Sequence, residues 1–409
     1  MSNPGNPVDR QAPRCRLLAL APNPWHGQWM NRQQILSRLA ARHGVLYSTG
    51  PWTIWDRDSE RFRSVPFGGR FTETDGVMVD ESPRWLLRWP TVPAYDQAVQ
   101  ALVLRRWRRQ LGRMGTGPLI AYLFHPAFLH LALALRADHL VYHPYDLFRS
   151  MPGWTAELAE LEDRLLGIAD AVIATSEPTR AALQPQSATK VHCVPNGVDR
   201  QLYLDRALKP VVDALSGIPR PRIGYVGSLN RKVDLALIAW LARREPDWHF
   251  PLIGPLGSFD AETAAALEEL KQLPNVHLTG SRERGQLPDC ITSLDVALMC
   301  YREGTWMDSA YPLKLHEYLA SGPPVVSTSL PTVQPFSHVV ATARNRTEWH
   351  ALIGQALRDG TPGTPAERRA VAAANTWEHR VSDISAILAT VVDRTATTGT
   401  LASVGMPSS

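Results

Sequence analysis

Cysteine is scarce in this chain. Cys15, Cys193, Cys290 and Cys300 have neither C-x-x-C spacing nor a histidine pair beside them. That argues against a disulfide framework and against a zinc site of the usual spacing, and it fits a reducing compartment. Net charge is small as well. The 43 Lys and Arg against 39 Asp and Glu leave +4, too mild a balance to imply a nucleic-acid partner. Long apolar runs are missing. The early run Leu17–Ala21 is shorter than a signal-peptide core and far below the ~20 residues of a membrane span. The expected place is the cytoplasm, free or against a membrane surface. There is no G-x-G-x-x-G, no G-x-x-x-x-G-K-[ST], no H-E-x-x-H and no G-x-S-x-G. The fingerprints of dinucleotide enzymes, P-loop proteins, zinc proteases and nucleophile-elbow hydrolases are therefore absent. Tryptophan, by contrast, is plentiful at 13 residues, which points to large cores or to sugar- and lipid-facing surfaces.

What is present alternates. Short apolar runs at 16–21, 45–48, 119–124, 140–142 and 171–176 read as strands, with helical stripes between them. The pattern restarts at 222–226 and continues through 249–253, 275–279, 295–301 and 325–328. Strands alternating with helices predict an α/β fold with parallel sheets covered on both faces. A Pro-rich stretch near 208–221 separates the two series. The expected organisation is two Rossmann-like domains facing across a cleft. The first spans 15–207 and the second 208–375. A helix at 376–394 follows, with loose segments at 1–14 and 395–409.

In such sheets, ligands bind beyond the carboxyl ends of the strands. After the strand ending at Val226, the loop runs Gly227-Ser228-Leu229-Asn230-Arg231-Lys232-Val233-Asp234. A glycine exit, two cations and a helix start together describe either a phosphate site or a solvated basic loop. Further on, Ser309, Ala310 and Tyr311 precede a helix that carries Leu313, Lys314 and Glu317. Lys314 and Glu317 share a face, so they form either an ion pair or two separate ligands, a cation for phosphate and a carboxylate for a sugar diol. In the first half, His125 follows a strand in Phe124-His125-Pro126. Gly27 lies in the first strand-helix loop, where glycine permits close approach to a phosphate.

The run Pro312-Leu313-Lys314-Leu315-His316-Glu317-Tyr318-Leu319-Ala320-Ser321-Gly322-Pro323-Pro324-Val325-Val326 resembles the donor-site signature of retaining, family 4-like GT-B glycosyltransferases. Val194-Pro195-Asn196-Gly197-Val198-Asp199, Ile223-Gly224-Tyr225-Val226-Gly227-Ser228 and Asn375-Thr376-Trp377-Glu378-His379-Arg380 resemble three further segments of that family, in the same order. The resemblance spans about residues 120–390. It implies transfer of a sugar from a nucleotide donor, with a final helix that returns to the first domain. By resemblance, Arg231 and Lys232 bind the diphosphate and Glu317 the ribose. The first domain takes the acceptor and the second the donor; the Gly280–Arg284 loop, which carries Arg282, and Leu287-Pro288 lie near the base, and His125 lies near the donor sugar. A UDP-sugar is the default donor, with GDP- or dTDP-sugar as alternatives, and no cofactor or essential metal is expected.

Two departures stand out. Ser309 occupies the place of a glutamate that usually contacts the donor sugar, with Asp308 beside it. Tyr142-His143-Pro144-Tyr145-Asp146 keeps only Asp146 of a Tyr-Asp-x-x-Asp pattern, which leaves His143 and Asp146 as acceptor-side candidates. A nucleotide-sugar epimerase of the same fold and a silent nucleotide-sugar-binding subunit remain the rival readings. Finally, residues 97–117 carry Arg105, Arg106, Arg108, Arg109 and Arg113 with no acid, beside Leu104, Trp107 and Leu111. That helix is either an ordinary solvated face or a contact for an anionic membrane surface.

Overall fold

The computed structural model describes residues 14–205 and 215–402. Its first sheet comprises β1 (Arg16–Leu20), β2 (Gly44–Ser48), β3 (Arg70–Thr74), β4 (Val77–Glu81), β5 (Leu119–Leu123), β6 (His139–Tyr142), β7 (Ala171–Ala174) and β8 (Val191–Cys193). The strand order is β3-β4-β2-β1-β5-β6-β7-β8, and only β3 runs antiparallel. The second sheet comprises β9 (Ile223–Val226), β10 (Phe250–Ile253), β11 (Val276–Gly280), β12 (Val296–Met299), β13 (Val325–Thr328) and β14 (Ala341–Ala343). It is parallel throughout, in the order β11-β10-β9-β12-β13-β14. Central strands such as β5 and β12 are buried at every position, because helices cover both faces of a parallel sheet.

Two chain crossings join the domains. The segment Val194–Asp199 leaves the first domain and Asn375–Trp377 comes back. They pair at Val198, whose amide donates to the Asn375 carbonyl at 2.9 Å while the Trp377 amide donates to the Val198 carbonyl at 3.0 Å. A side chain at Gly197 would meet the Thr376 backbone at 2.8 Å. The returning helix, Trp377–Ala402, buries Trp377, Ile384 and Leu388 in the first-domain core beside Leu17, Ile35 and Tyr122.

Several expectations change here. Residues 50–95, barely legible in sequence, contain β3, β4 and a short helix, Glu60–Ser64. The strands β8 and β14 were not anticipated. The last helix reaches Ala402, so 395–402 is helical; 1–13, 403–409 and the expected boundary at 207/208 lie outside the described residues. The basic helix spans Pro93–Arg113, and its stripe Leu104, Trp107 and Leu111 is buried in the first-domain core. That stripe is therefore not available to a lipid surface.

Candidate active site

Three neighbouring strands, β9, β10 and β11, each end in a glycine with positive φ: Gly227 at 144°, Gly254 at 149° and Gly280 at 71°. The strand ends interlock. The Gly227 amide donates to the Ile253 carbonyl at 2.8 Å and the Gly254 amide to the Gly280 carbonyl at 2.9 Å. A Cβ on Gly254 would lie 2.1 Å from the Gly227 carbonyl oxygen, and one on Gly227 would lie 2.9 Å from Lys314 Nζ. Close approach, as much as φ, demands glycine here.

The loop after β9 differs from the expectation of free amides. The amides of Leu229, Arg231, Lys232 and Val233 are all hydrogen-bonded within the domain. Asp234 caps the next helix, Leu235–Arg244, by accepting from the Leu237 amide at 2.8 Å. Anion binding at this loop therefore falls to the side chains of Arg231 and Lys232 and to the amide of Ser228, which makes no hydrogen bond among the described residues. The second helix, Lys314–Ser321, has no side-chain cap and ends at Gly322 in the left-handed region. Its opening amides, of Leu313 and Lys314, make no hydrogen bond among the described residues. This is the open helix N-terminus.

Lys314 and Glu317 do not pair. Lys314 Nζ donates to the Tyr225 hydroxyl at 2.9 Å and sits 4.4 Å from that ring's centroid. Glu317 faces Tyr203, with Arg284 and Asp199 near it. Burial pushes its carboxyl up to about 7, while Lys314 and Arg284 pull it back. A half-hidden carboxylate with two oxygens suits a diol.

The opposite wall comes from the carboxyl ends of β5 and β6. His125 Nδ1 accepts from the Ala127 amide at 3.2 Å, so its proton sits on Nε2 and that edge is a donor. The ring is packed edge-on against Phe148 and Trp154, and burial lowers its pKa to about 4, keeping it neutral. Asp146 faces Lys232, with Nζ 3.6 Å from its Oδ2. Burial raises the carboxyl's pKa, and Lys232 and Trp306 oppose that rise. His143 is a correction. It is fully buried, with Nδ1 2.5 Å from the Tyr122 hydroxyl and its ring stacked on Phe124. It belongs to the core and cannot meet an acceptor. Gly27 lies exposed after β1 at φ 119°.

Ser309 is a second correction. Its hydroxyl turns back to the Trp306 carbonyl at 3.0 Å, and its own carbonyl accepts from Ser176 at 2.6 Å. Ala310 accepts from Thr332 at 2.7 Å and Tyr311 from Asn196 at 2.7 Å. The Tyr311 hydroxyl is 2.8 Å from His316 Nε2. Ser309 and Tyr311 join the domains, and Ala310 fastens the same segment within its own, so these residues do not present side chains to a sugar. Asp308 beside them is exposed. Leu313 packs against the first-domain core, and Leu287 against the second.

Sequence reasoning did not single out Trp306 or Asp199, and within the Gly280–Arg284 loop it picked Arg282 rather than Arg284. Trp306 places its ring 4.0 Å from Lys232 Nζ and 5.3 Å from the Arg231 guanidinium. Arg284, rather than the exposed Arg282, turns inward. It stacks 4.4 Å over Trp29 of the first domain and pairs with Asp199. Asp199 also takes Arg38 at 3.3 Å. No spacing rule links residues 29, 38, 199, 284 and 306. Their one shared signal was residue type near loops already under suspicion. One D-x-D triplet exists, Asp56-Arg57-Asp58. Asp56 accepts from Thr53 and Asp58 faces Arg63.

Known proteins resemble this chain along most of its length. Residues 220–359 match the family described as Glycosyl transferases group 1, and residues 58–202 match Glycosyltransferase Family 4. A putative teichuronic acid biosynthesis glycosyltransferase, TuaH of Bacillus subtilis (strain 168), is 28% identical over 270 residues, 62% of this chain and 67% of that protein. The structure of Anabaena Alr3699/HepE in complex with UDP and glucose aligns with a TM-score of 0.68 at 15% identity, covering 92% of this chain and 99% of the other. Sucrose-phosphate synthase from Thermosynechococcus elongatus aligns with a TM-score of 0.69 at 15% identity, covering 93% and 100%. At those identities the structural likeness is one of fold.

Proposed function

The chain belongs to the group 1 superfamily of GT-B glycosyltransferases, and we propose that it moves a sugar from a UDP-sugar onto a glycan or glycoconjugate, with retention and without a metal. The observation that carries this reading is the position of Lys232. It stands in the cleft between the domains, on the Trp306 ring and against a first-domain carboxylate. A diphosphate entering there meets Lys232 and Arg231, with Lys314 and the open helix end at its other side. Fixed cations aimed at the charge that grows as the anomeric bond breaks lower the barrier without reorganisation. Uridine is supported by the structurally similar Anabaena Alr3699/HepE, solved in complex with UDP and with UDP-glucose.

In this reading Glu317 accepts from the ribose diol. The neutral Nε2–H of His125 donates to the donor sugar. Asp146 is engaged by Lys232 and is not a free nucleophile, so the acceptor attacks from the face that the diphosphate leaves. Orientation and phosphate stabilisation are then the main catalytic terms. The acceptor binds on the first domain, and a lipid-linked glycan is the version in which that domain meets a membrane.

The test is thermal stabilisation by UDP, GDP, dTDP and their sugars with EDTA present, since a ligand of the folded state raises Tm by mass action. A shift with UDP and one UDP-sugar is expected. A shift with GDP or dTDP alone replaces the nucleotide, and none with any of them rejects the donor cleft. Lys232→Ala should keep its Tm yet lose the shift and most transfer. Unchanged transfer removes the phosphate assignment.

A further inference from the structure

Among the described residues, seven of the eleven large apolar side chains that are exposed fall between Trp55 and Leu102. Globular surfaces scatter such residues singly, and a cluster marks a contact surface. Trp55 is 67% exposed and Phe67 65%, with Trp85, Trp89, Tyr95 and Leu102 all above 40%. Their segments are stitched together. The Ile54 amide donates to the Arg88 carbonyl at 2.9 Å and the Arg84 amide to the Phe67 carbonyl at 3.0 Å. Arg88 then ties this sheet-edge region to the basic helix through a two-point bond to Asp96, at 3.0 and 2.7 Å.

The helix Pro93–Arg113 continues the same surface. At 3.6 residues per turn, Tyr95, Leu102, Arg109 and Arg113 fall within about 40° of one line, with Arg105 about 40° further round. Val99, Val103, Trp107 and Leu111 take the other side and are buried. The outer line runs from aromatic to cationic along a helix of about 30 Å. Arg105, Arg109 and Arg113 line a concave site of about 410 Å³ floored by Phe71 and Leu102. No ion pair holds these three among the described residues, whereas Arg106 is spent on Asp80. Unrelieved like charges four residues apart cost a helix stability. Aromatic rings with amphipathic edges and unpaired guanidinium groups suit a boundary between hydrocarbon and anionic headgroups.

We infer that this face of the first domain docks on an anionic lipid bilayer, its rings entering the interface and Arg105, Arg109 and Arg113 holding headgroup phosphates. The segments bearing Trp55 and Trp85 leave the carboxyl ends of β2 and β4, the same end of the sheet from which β5 and β6 lead to His125 and Asp146. Docking there sets the acceptor side of the cleft beside the membrane. The inference rests on the lipid-linked version of the acceptor reading, yet its test needs no sugar transfer, so either can fail alone.

The experiment is co-sedimentation of the full chain with phosphatidylglycerol–phosphatidylcholine vesicles and with phosphatidylcholine vesicles, at low and high salt, with tryptophan emission read on the same samples. Binding to the anionic vesicles, release by salt and a blue shift are expected. Arg105→Ala, Arg109→Ala and Arg113→Ala combined should weaken partition roughly a hundredfold, at about fivefold per arginine. Trp55→Ser with Trp85→Ser and Trp89→Ser should remove most of the blue shift. In both variants the nucleotide-induced shift should match the wild type, and the Tm of the arginine variant should be no lower than the wild type's. Failure to sediment with anionic vesicles overturns the inference, as does sedimentation that neither variant changes. Binding of soluble polyphosphate without binding of vesicles also overturns it and gives the arginines to a soluble anionic chain.

Discussion

At the scale of single residues, burial decides what each titratable group does. Glu317 is the clearest case. Its ordinary value is 4.5 and burial lifts it to about 7. The folded protein therefore holds a proton that the unfolded chain has released between those values. That contribution to stability is complete below about 4.5 and is lost as pH rises through about 7. A diol donates to the ionised form, so donor affinity should rise over the same interval while ligand-free stability falls. Tm with and without UDP from pH 5.5 to 8 checks both signs. Glu317→Gln should bind more weakly and flatten the affinity profile, and a flat wild-type profile would contradict the ribose role. His125 behaves differently. Held near 4 by burial, it stays neutral across that range and adds nothing to the rise. The terminal phosphate of UDP, which titrates at about 6, is separated from Glu317 by the Glu317→Gln profile and by repeating the series with a UDP-sugar. His125→Ala should cost about tenfold in kcat/KM, the worth of one hydrogen bond of about 1.4 kcal/mol.

At the scale of elements, the donor wall depends on strand ends too close for side chains. Gly254→Ala forces a Cβ to 2.1 Å from the Gly227 carbonyl at a φ that alone costs roughly 1–3 kcal/mol. Urea unfolding should show at least that loss, and whatever folds should lose the UDP shift because Gly227 and the Arg231–Lys232 loop are displaced with it. A variant as stable and as responsive as the wild type would mean that the strand ends are not locked. The helix Lys314–Ser321 makes the complementary point. Its motif was legible because the Pro312 start, the periodicity and the terminal Gly322 are local. What Lys314 and Glu317 touch was not, since Tyr225 and Tyr203 lie 89 and 114 positions away in the chain.

At the scale of the whole molecule, the domains are held by few but specific contacts. Asp199 joins Arg38 of the first domain to Arg284 of the second, Lys232 meets Asp146, and Ser176 holds Ser309. Asp199→Ala removes the shared carboxylate and leaves two guanidinium groups facing one another. It should raise KM for the donor several-fold more than it lowers kcat, and expand the ligand-free protein in small-angle scattering. An unchanged profile and unchanged kinetics would leave Asp199 only its local role, in which it accepts from the Leu202 amide at 3.0 Å. The sequence by itself determined the two alternating β/α series, the glycine exits, the cations at 231 and 232 and the Lys314–Glu317 face. Each of these follows from neighbours in the chain, through periodicity, φ preference and helix geometry. Only the tertiary structure decided that His143 is core, that Ser309 is a joint, that Arg284 rather than Arg282 turns inward, and which side of the basic helix is exposed. Those outcomes depend on burial and on charges brought together from distant segments, and no local pattern encodes which side of a helix the sheet will cover.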